Sequence, residues 1–305
     1  MSDIIQYTAE KIRTLQIQGA RNVAIATVEA LQTHATQTKA EDKAQFLAEL
    51  KEAQSIFAAS RETEPLMRNA LHGIISQAQN AHNQNINGLR EIVITNAGRF
   101  LKDLEISRER TAEIGAKRIH DDAVVFTHCH SSTVTRLLAK AKEQDKNFRV
   151  ICTETRPAFQ GRITAKELVG LGIDTTFIVD SSARTFIENA DLVVVGADAI
   201  TSEGNAVNKI GTAVIAVLAH EARKPFYVVS ELLKFDPETL SGEYEKIEQR
   251  NPSEVWSEAP PKLTVRNPAF DVTQNRYIHG LICEEGIIAP QTIVEVVRRR
   301  YPWVF

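Results

Sequence analysis

Apolar residues at helical spacing dominate the first third of the chain. Ile12, Leu15, Ile17, Val23 and Ile25 begin a stripe that continues through Ala26, Val28 and Leu31, and further stripes cover Phe46 to Phe57, Leu66 to Ala78 and Leu89 to Ile114. Recurrence at three and four residues puts such positions on one face of a helix. Residues 80–86, Asn80-Ala81-His82-Asn83-Gln84-Asn85-Ile86, are polar and asparagine-rich and read as a loop between helices. Nothing in residues 1–115 shows the two-residue period of a half-buried strand, and the chain holds no repeat or low-complexity tract.

The pattern changes near Ala116-Lys117-Arg118-Ile119-His120-Asp121-Asp122. Beyond it, short Val- and Ile-rich runs alternate with helical ones. The runs predict strands at 123–127, 148–153, 175–179, 192–196, 226–230 and 278–283. Helices are predicted at 132–144, 164–171, 183–189 and 209–222, with a terminal helix from Pro290 to Arg300. Continuous apolar strands joined by helical crossovers indicate a mostly parallel sheet covered on both faces. The chain therefore reads as a helical domain over 1–115 followed by a doubly wound α/β domain over 116–305.

Composition narrows the class. A length of 305 residues suits about two domains, and 43% apolar with 25% charged residues is ordinary for a globular chain. A net charge of −3 provides no field for nucleic acid or an anionic membrane surface. The Arg298-Arg299-Arg300 run sits at a helix end, where the dipole favours cations. Three scattered cysteines make no disulfide framework, which points to a reducing cytoplasm. No apolar run approaches the ~20 residues that span a bilayer. The start, Met1-Ser2-Asp3-Ile4-Ile5-Gln6, lacks the basic and apolar regions of a signal peptide. Trp256 and Trp303 have no evident stacking partners.

The chemistry-bearing residues gather at strand ends and helix starts. Cys129 follows the first strand in Thr127-His128-Cys129-His130-Ser131-Ser132, facing a helix N-terminus that is expected to favour thiolate over thiol. Cys152 and Cys283 fall inside strands and read as core residues. After the second strand, Thr153-Glu154-Thr155-Arg156-Pro157-Ala158-Phe159-Gln160-Gly161 is a loop whose Arg156 and Gln160 offer donors to an anionic or hydroxylated ligand. The fourth strand ends in Val195-Gly196-Ala197-Asp198, and a partly desolvated carboxylate there can act as acid and base. Asn208-Lys209-Ile210-Gly211-Thr212 is expected to open a helix and, with Lys209 beside its amides, to seat a phosphate. No Gly-x-Gly-x-x-Gly or Walker loop follows any strand, so no dinucleotide or other cofactor is predicted. Neither is a metal: His128 and His130 share a strand face that Cys129 does not, and no Cys/His partner of zinc spacing exists.

In this order the segments resemble the ribose-1,5-bisphosphate isomerases. The resemblance extends through Lys234-Phe235-Asp236-Pro237-Glu238-Thr239, Asn267-Pro268-Ala269-Phe270-Asp271-Val272-Thr273 and Glu285-Gly286-Ile287-Ile288, and so covers nearly the whole chain. The wider superfamily includes the methylthioribose-1-phosphate isomerases and the alpha, beta and delta regulatory subunits of translation initiation factor 2B. The resemblance implies a helical N-terminal domain before a Rossmann-like domain, a homodimer or homohexamer, and a place in the breakdown of nucleoside phosphates. It implies conversion of ribose 1,5-bisphosphate to ribulose 1,5-bisphosphate, with Cys129 taking the C2 proton and Asp198 serving the sugar oxygens. The binding positions it implies are Gly19, Ala20, Arg21, Arg61, Ser131, Arg156, Gln160, Asn208, Lys209 and Lys234. Two departures stand out. The family's Arg-Gly-Ala is Gln18-Gly19-Ala20 here, and its Arg-Pro-Thr-Ala is Arg61-Glu62-Thr63-Glu64-Pro65, so one phosphate contact is either lost or moved to Arg21 or Arg68. Two alternatives remain open: a related pentose phosphate as substrate, or a non-catalytic regulatory subunit that binds a nucleotide or sugar phosphate. Regulatory members tend to lack Cys129 or Asp198; both are present here.

Overall fold

The structure, a computed structural model, describes residues 3–61, 63–82, 84–243 and 245–305. The chain divides into two compact units. One comprises the residues up to Ile106 with Val297–Phe305, and the other Ser107–Val296.

The first unit is built from α1 (Asp3–Arg13), α2 (Ala20–Gln37), α3 (Lys43–Ser60), α4 (Pro65–Asn80) and most of α5 (Ile86–Ala116). Of the asparagine-rich stretch read as a loop, Asn80 ends α4 and Ile86 opens α5, with the described residues 81, 82, 84 and 85 outside both helices; Asn83 lies outside the described residues. Asp42 caps α3 by accepting the Gln45 amide at 2.8 Å, and Pro65 opens α4, where its missing N–H costs nothing. The stripes meet in one core around Ile5, Ile12, Leu31, Phe46, Leu50, Phe57, Met67 and Leu71. Each such side chain contributes ~1.5–3 kcal/mol by leaving water. Trp303 does have a partner: its ring lies over Gly73 of α4, where an added Cβ would stand 2.7 Å from it.

The second unit contains β1 (Ala123–Thr127), α6 (Ser132–Glu143), β2 (Phe148–Thr153), α7 (Gly161–Gly170), β3 (Asp174–Ile178), α8 (Ala183–Ile187), β4 (Leu192–Val195), β5 (Ala199–Ile200), β6 (Ala206–Lys209), α9 (Thr212–Glu221), β7 (Phe226–Val229), β8 (Phe270–Thr273), β9 (Gly280–Cys283), β10 (Gly286–Ile288) and α10 (Ile293–Arg300), the last reaching into the first unit's C-terminal segment. Seven strands form one sheet in the order β10-β9-β7-β4-β1-β2-β3, parallel except for β10. Both central strands, β1 and β4, are buried along their whole length, which is why they read as unbroken Val/Ile runs. Chain direction along the sheet reverses between β1 and β4, the switch point outside whose carboxyl ends open α/β sheets bind ligands.

One predicted element differs. The helix expected over 209–222 starts only at Thr212. Asn208 and Lys209 instead close strand β6, which pairs antiparallel with β5 and β8 in a three-stranded sheet that local pattern did not reveal. Cys152 and Cys283 are buried in their strands. No helix among the described residues is long and apolar enough to cross a membrane.

Gly161 shows how tightly α7 is seated. An added Cβ would stand 1.8 Å from the Thr153 carbonyl oxygen at the end of β2. Gly161→Ala is therefore expected to cost ~3 kcal/mol by overpacking against backbone, read as a lowered midpoint in chemical denaturation.

Candidate active site

Cys129 stands two residues past β1 in the left-handed region, with φ 68. Its amide donates to Thr155 Oγ1 at 3.0 Å, and its carbonyl accepts from Thr164 Oγ1 at 2.9 Å. Thr155 is itself left-handed, φ 62, a position that strains a β-branched residue. The Asp180 carboxylate holds it there, accepting the Thr155 amide at 2.8 Å and the Arg156 amide at 2.7 Å. The end of β3 thus fixes the loop after β2, which in turn fixes the backbone after β1.

The thiol does not behave as its place near a helix start predicted. Cys129 as a residue is half-buried, but the packing around its sulfur pushes the thiol up to about 12; the Lys209 charge and the His130 amide oppose this, while Asp198 and Asp180 reinforce it. Desolvation wins because α6 begins only at Ser132, three residues beyond the sulfur. Alkylation of Cys129 by iodoacetamide is therefore expected to be slower than that of an exposed thiol by at least ~10²-fold at pH 8, given an ordinary thiol value near ~8.5. It should rise about tenfold per pH unit. Lys209→Met should slow it further, since Lys209 lowers the thiol. Peptide mass spectrometry against time reads both, and fast labelling at pH 8 would refute them.

The flanking histidines diverge. His128 is buried, and burial lowers its pKa. Its Nε2 donates to the Ile210 carbonyl at 3.0 Å, so Nδ1 accepts from Thr153 Oγ1 at 2.6 Å. The ring thereby ties β1 to the turn before α9. Gly211, at φ +103, meets it so closely that a Cβ would lie 3.1 Å from the imidazole. Because the Thr164 hydroxyl hydrogen goes to Cys129, His130 Nδ1 donates to that hydroxyl at 3.1 Å. His130 Nε2 lies 3.8 Å from Glu167.

Asp198 follows β4. Gly196 lets this strand end close on the α6 cap, since a Cβ there would stand 2.6 Å from Ser131 Oγ. Ser131 caps α6 through the Val134 amide at 3.4 Å. The Asp198 amide donates to the Val207 carbonyl at 2.8 Å, starting the β5–β6 hairpin. Its carboxylate is half-buried and makes no hydrogen bond or ion pair with the described residues. Its charge nevertheless reaches the Cys129 thiol. The structure therefore brings together Cys129, Asp198 and Lys209, three groups from three strand ends.

The phosphate seat expected at Asn208-Lys209-Ile210-Gly211-Thr212 is a correction. Asp271 of β8 already occupies the α9 N-terminus, accepting from the Gly211 amide at 2.7 Å and the Ala213 amide at 3.1 Å. Burial raises this carboxylate to about 6, against those two amides. Asn208 is buried and donates to Thr212 Oγ1 at 2.9 Å, while Lys209 Nζ sits 5.0 Å over the Phe270 ring. Lys209 remains a cation near the thiol, but the helix amides are taken.

Other predicted binding residues have varied surroundings. Lys234 is buried and donates to the Ala197 carbonyl at 2.8 Å. Arg156 is exposed, donating to the Val255 carbonyl at 3.0 Å. The Gln160 amide oxygen is buried without a hydrogen-bond partner. In the first unit, Gly19 at φ +82 and Ala20 open α2, whose N-terminus has no side-chain cap. Arg21 is buried, donating to the Leu104 carbonyl at 3.0 Å and to Glu105 at 2.5 Å. Arg61 is buried with its Nε 3.1 Å from Glu64, so the departure at position 64 sets a carboxylate against that guanidinium. Glu62 lies outside the described residues.

Sequence reasoning missed Asp180, Glu231 and Asp271. Asp180 and Glu231 each lie two residues past a strand end, the same kind of position that singled out Asp198.

A model of the initiation factor 2 subunit family matches residues 16–290. The ribose 1,5-bisphosphate isomerase of Pyrococcus furiosus is 41% identical over 304 residues, covering 97% of this chain and 94% of that protein. Among solved structures, translation initiation factor eIF-2B of Pyrococcus horikoshii superposes with a TM-score of 0.83 at 31% identity, covering 95% of this chain and 98% of that one. The 5-methylthioribose 1-phosphate isomerase of the same organism superposes with a TM-score of 0.80 at 27% identity, covering 97% and 88%. Sequence and fold agree along nearly the whole length, and the chain belongs to the initiation factor 2 subunit family.

Proposed function

We propose that the chain is a sugar phosphate isomerase that converts ribose 1,5-bisphosphate to ribulose 1,5-bisphosphate, with Cys129 and Asp198 moving the protons. The observation that carries this reading is the meeting of a desolvated thiol, a carboxylate and a lysine at the switch point of the sheet. Likeness to the isomerase of Pyrococcus furiosus supports the substrate.

The chemistry balances with one shared proton. A phosphate on C1 blocks ordinary ring opening. The Cys129 thiolate takes the C2 proton, the electron pair forms C1=C2, the C1–ring-oxygen bond breaks, and the Asp198 carboxyl gives its proton to that oxygen. The C2 hydroxyl then returns a proton to Asp198 while the Cys129 thiol protonates C1, leaving the C2 ketone. Thiolate with carboxylic acid carries the same charge as thiol with carboxylate, so the active tautomer needs only a proton exchange within the pair. Lys209 favours it by lowering the thiol.

In the second unit, Lys209, Asn208, Ser131, Arg156, Gln160 and Lys234 supply donors to the sugar and its phosphates. Gln160 has an amide oxygen awaiting a hydroxyl. In the first unit, the uncapped α2 start at Gly19-Ala20 suits a phosphate, with the Arg21 and Arg61 cations in the same unit. The enzyme is cytoplasmic, works without metal or cofactor, and acts as a homodimer or homohexamer, which light scattering of the purified chain measures.

The deciding experiment is phosphorus and proton NMR of ribose 1,5-bisphosphate with the purified protein. Appearance of ribulose 1,5-bisphosphate supports the reading. No turnover, with tight binding to translation initiation factor 2, would support the regulatory-subunit reading that the eIF-2B likeness raises.

A further inference from the structure

Glu231 and Lys234 form a buried link between the two halves of the catalytic pair. Glu231 is 1% exposed and Lys234 5% exposed, one turn apart just beyond β7. One oxygen of Glu231, Oε1, accepts the Thr133 hydroxyl at 3.1 Å. Thr133 is the second residue of α6, the helix that starts three residues after Cys129. The other oxygen, Oε2, lies 3.3 Å from Lys234 Nζ. That ammonium donates at 2.8 Å to the carbonyl of Ala197, the residue bonded to Asp198. The chain of contacts therefore runs Thr133, Glu231, Lys234, Ala197, with Cys129 close behind one end and Asp198 joined to the other. Glu284, also buried, accepts the Leu232 amide at 3.1 Å and holds the segment beside Glu231.

Taking a carboxylate and an ammonium out of water is costly, and apolar replacements of the same volume often stabilise a fold as well. Such a pair has its value where it sets a position. Proton transfer is sensitive to this, since an error of about 1 Å can cost ~10²-fold in rate.

We propose that Glu231 is a positioning residue that sets the spacing of Cys129 and Asp198, by anchoring α6 through Thr133 and the Asp198 turn through Lys234. This rests on the reading that Cys129 and Asp198 are the proton-transfer pair. The contacts described for Glu231, to Thr133 and Lys234, reach the catalytic pair only through the two backbones they link.

The test uses the full chain with ribose 1,5-bisphosphate and its C2-deuterated form, in wild type, Thr133→Val, Glu231→Gln, Cys129→Ser and Asp198→Asn. Thr133→Val leaves the ion pair whole and removes only the hydroxyl, so it keeps the test open if Glu231→Gln folds poorly. Expected are a kcat lower by ~10-fold in Thr133→Val, with KM within ~3-fold, and a kcat lower by ~10²-fold in Glu231→Gln, where KM also rises because Lys234 loses its partner. The deuterium isotope effect on kcat should rise in both, because misplacement slows the C2 proton step itself. A variant that merely folds less completely has fewer active molecules and an unchanged isotope effect. Wild-type kcat in both variants, or lowered kcat with the isotope effect unchanged, would overturn the proposal while Cys129→Ser and Asp198→Asn stay inactive. Should those two retain activity, the assignment of the pair itself fails, and the result is distinct.

Discussion

Replacing Cys129 by serine is expected to lower turnover of ribose 1,5-bisphosphate by at least ~10²-fold while the protein stays folded. The backbone contacts that hold position 129, to Thr155 and Thr164, do not use its side chain. The expected loss is therefore chemical. A hydroxyl surrenders its proton far less readily than a thiol, and burial penalises the anion of either. Lys209 and the His130 amide, which offset part of that penalty for sulfur, cannot close the gap for oxygen. NMR of product formation measures the rate, and circular dichroism with a thermal melt checks the fold. A folded serine variant within ~3-fold of wild type would show that sulfur is not the base.

That prediction depends on a sulfur the sequence located but whose protonation it misjudged. Cys129 was legible because it interrupts nothing regular: it follows Ala123-Val124-Val125-Phe126 and precedes a helix start, so strand and helix signals bracket it. The expected thiolate assumed the helix N-terminus would dominate. The α6 start is displaced by His130 and Ser131, and its capping hydroxyl already serves the Val134 amide. Removal from water then sets the balance, and burial is a property of the folded whole that a local motif does not carry.

The same division explains the sheets. The six parallel strands were legible because each carries a short run of apolar or β-branched residues bounded by turn and helix signals. The small sheet was not. Its β5 is two residues long, and β6 pairs with β8, where Asn208 stands opposite Asp271 across sixty-odd residues of chain. Followed by Gly211 and Thr212, Asn208-Lys209 imitates a helix start. The long-range pairing overrides that imitation, and it also delivers Asp271 to the helix amides the phosphate was expected to use. Asp180 and Glu231 escaped notice for a related reason: each acts on residues from other strand ends, so only the assembled sheet shows their targets.

Asp198→Asn is expected to move two observables in opposite directions. Turnover should fall by at least ~10²-fold, because an amide fills the same space but cannot pass a proton to the ring oxygen or recover one from the C2 hydroxyl. Alkylation of Cys129 should become faster at a fixed pH. The Asp198 charge raises the thiol, so its removal lowers the thiol pKa and increases the thiolate fraction, while Lys209 continues to act unopposed by that carboxylate. A variant with a more reactive sulfur and less catalysis would separate the two roles: nucleophilic sulfur alone does not isomerise the sugar without an acid on the oxygen side. The fold has little reason to change, since Asp198 is held through its amide to Val207 and its carboxylate bonds to no described residue. Parallel measurement by mass spectrometry and NMR on one preparation decides the matter. Unchanged turnover would remove Asp198 from the mechanism; slower alkylation would mean that its carboxylate does not face the thiol.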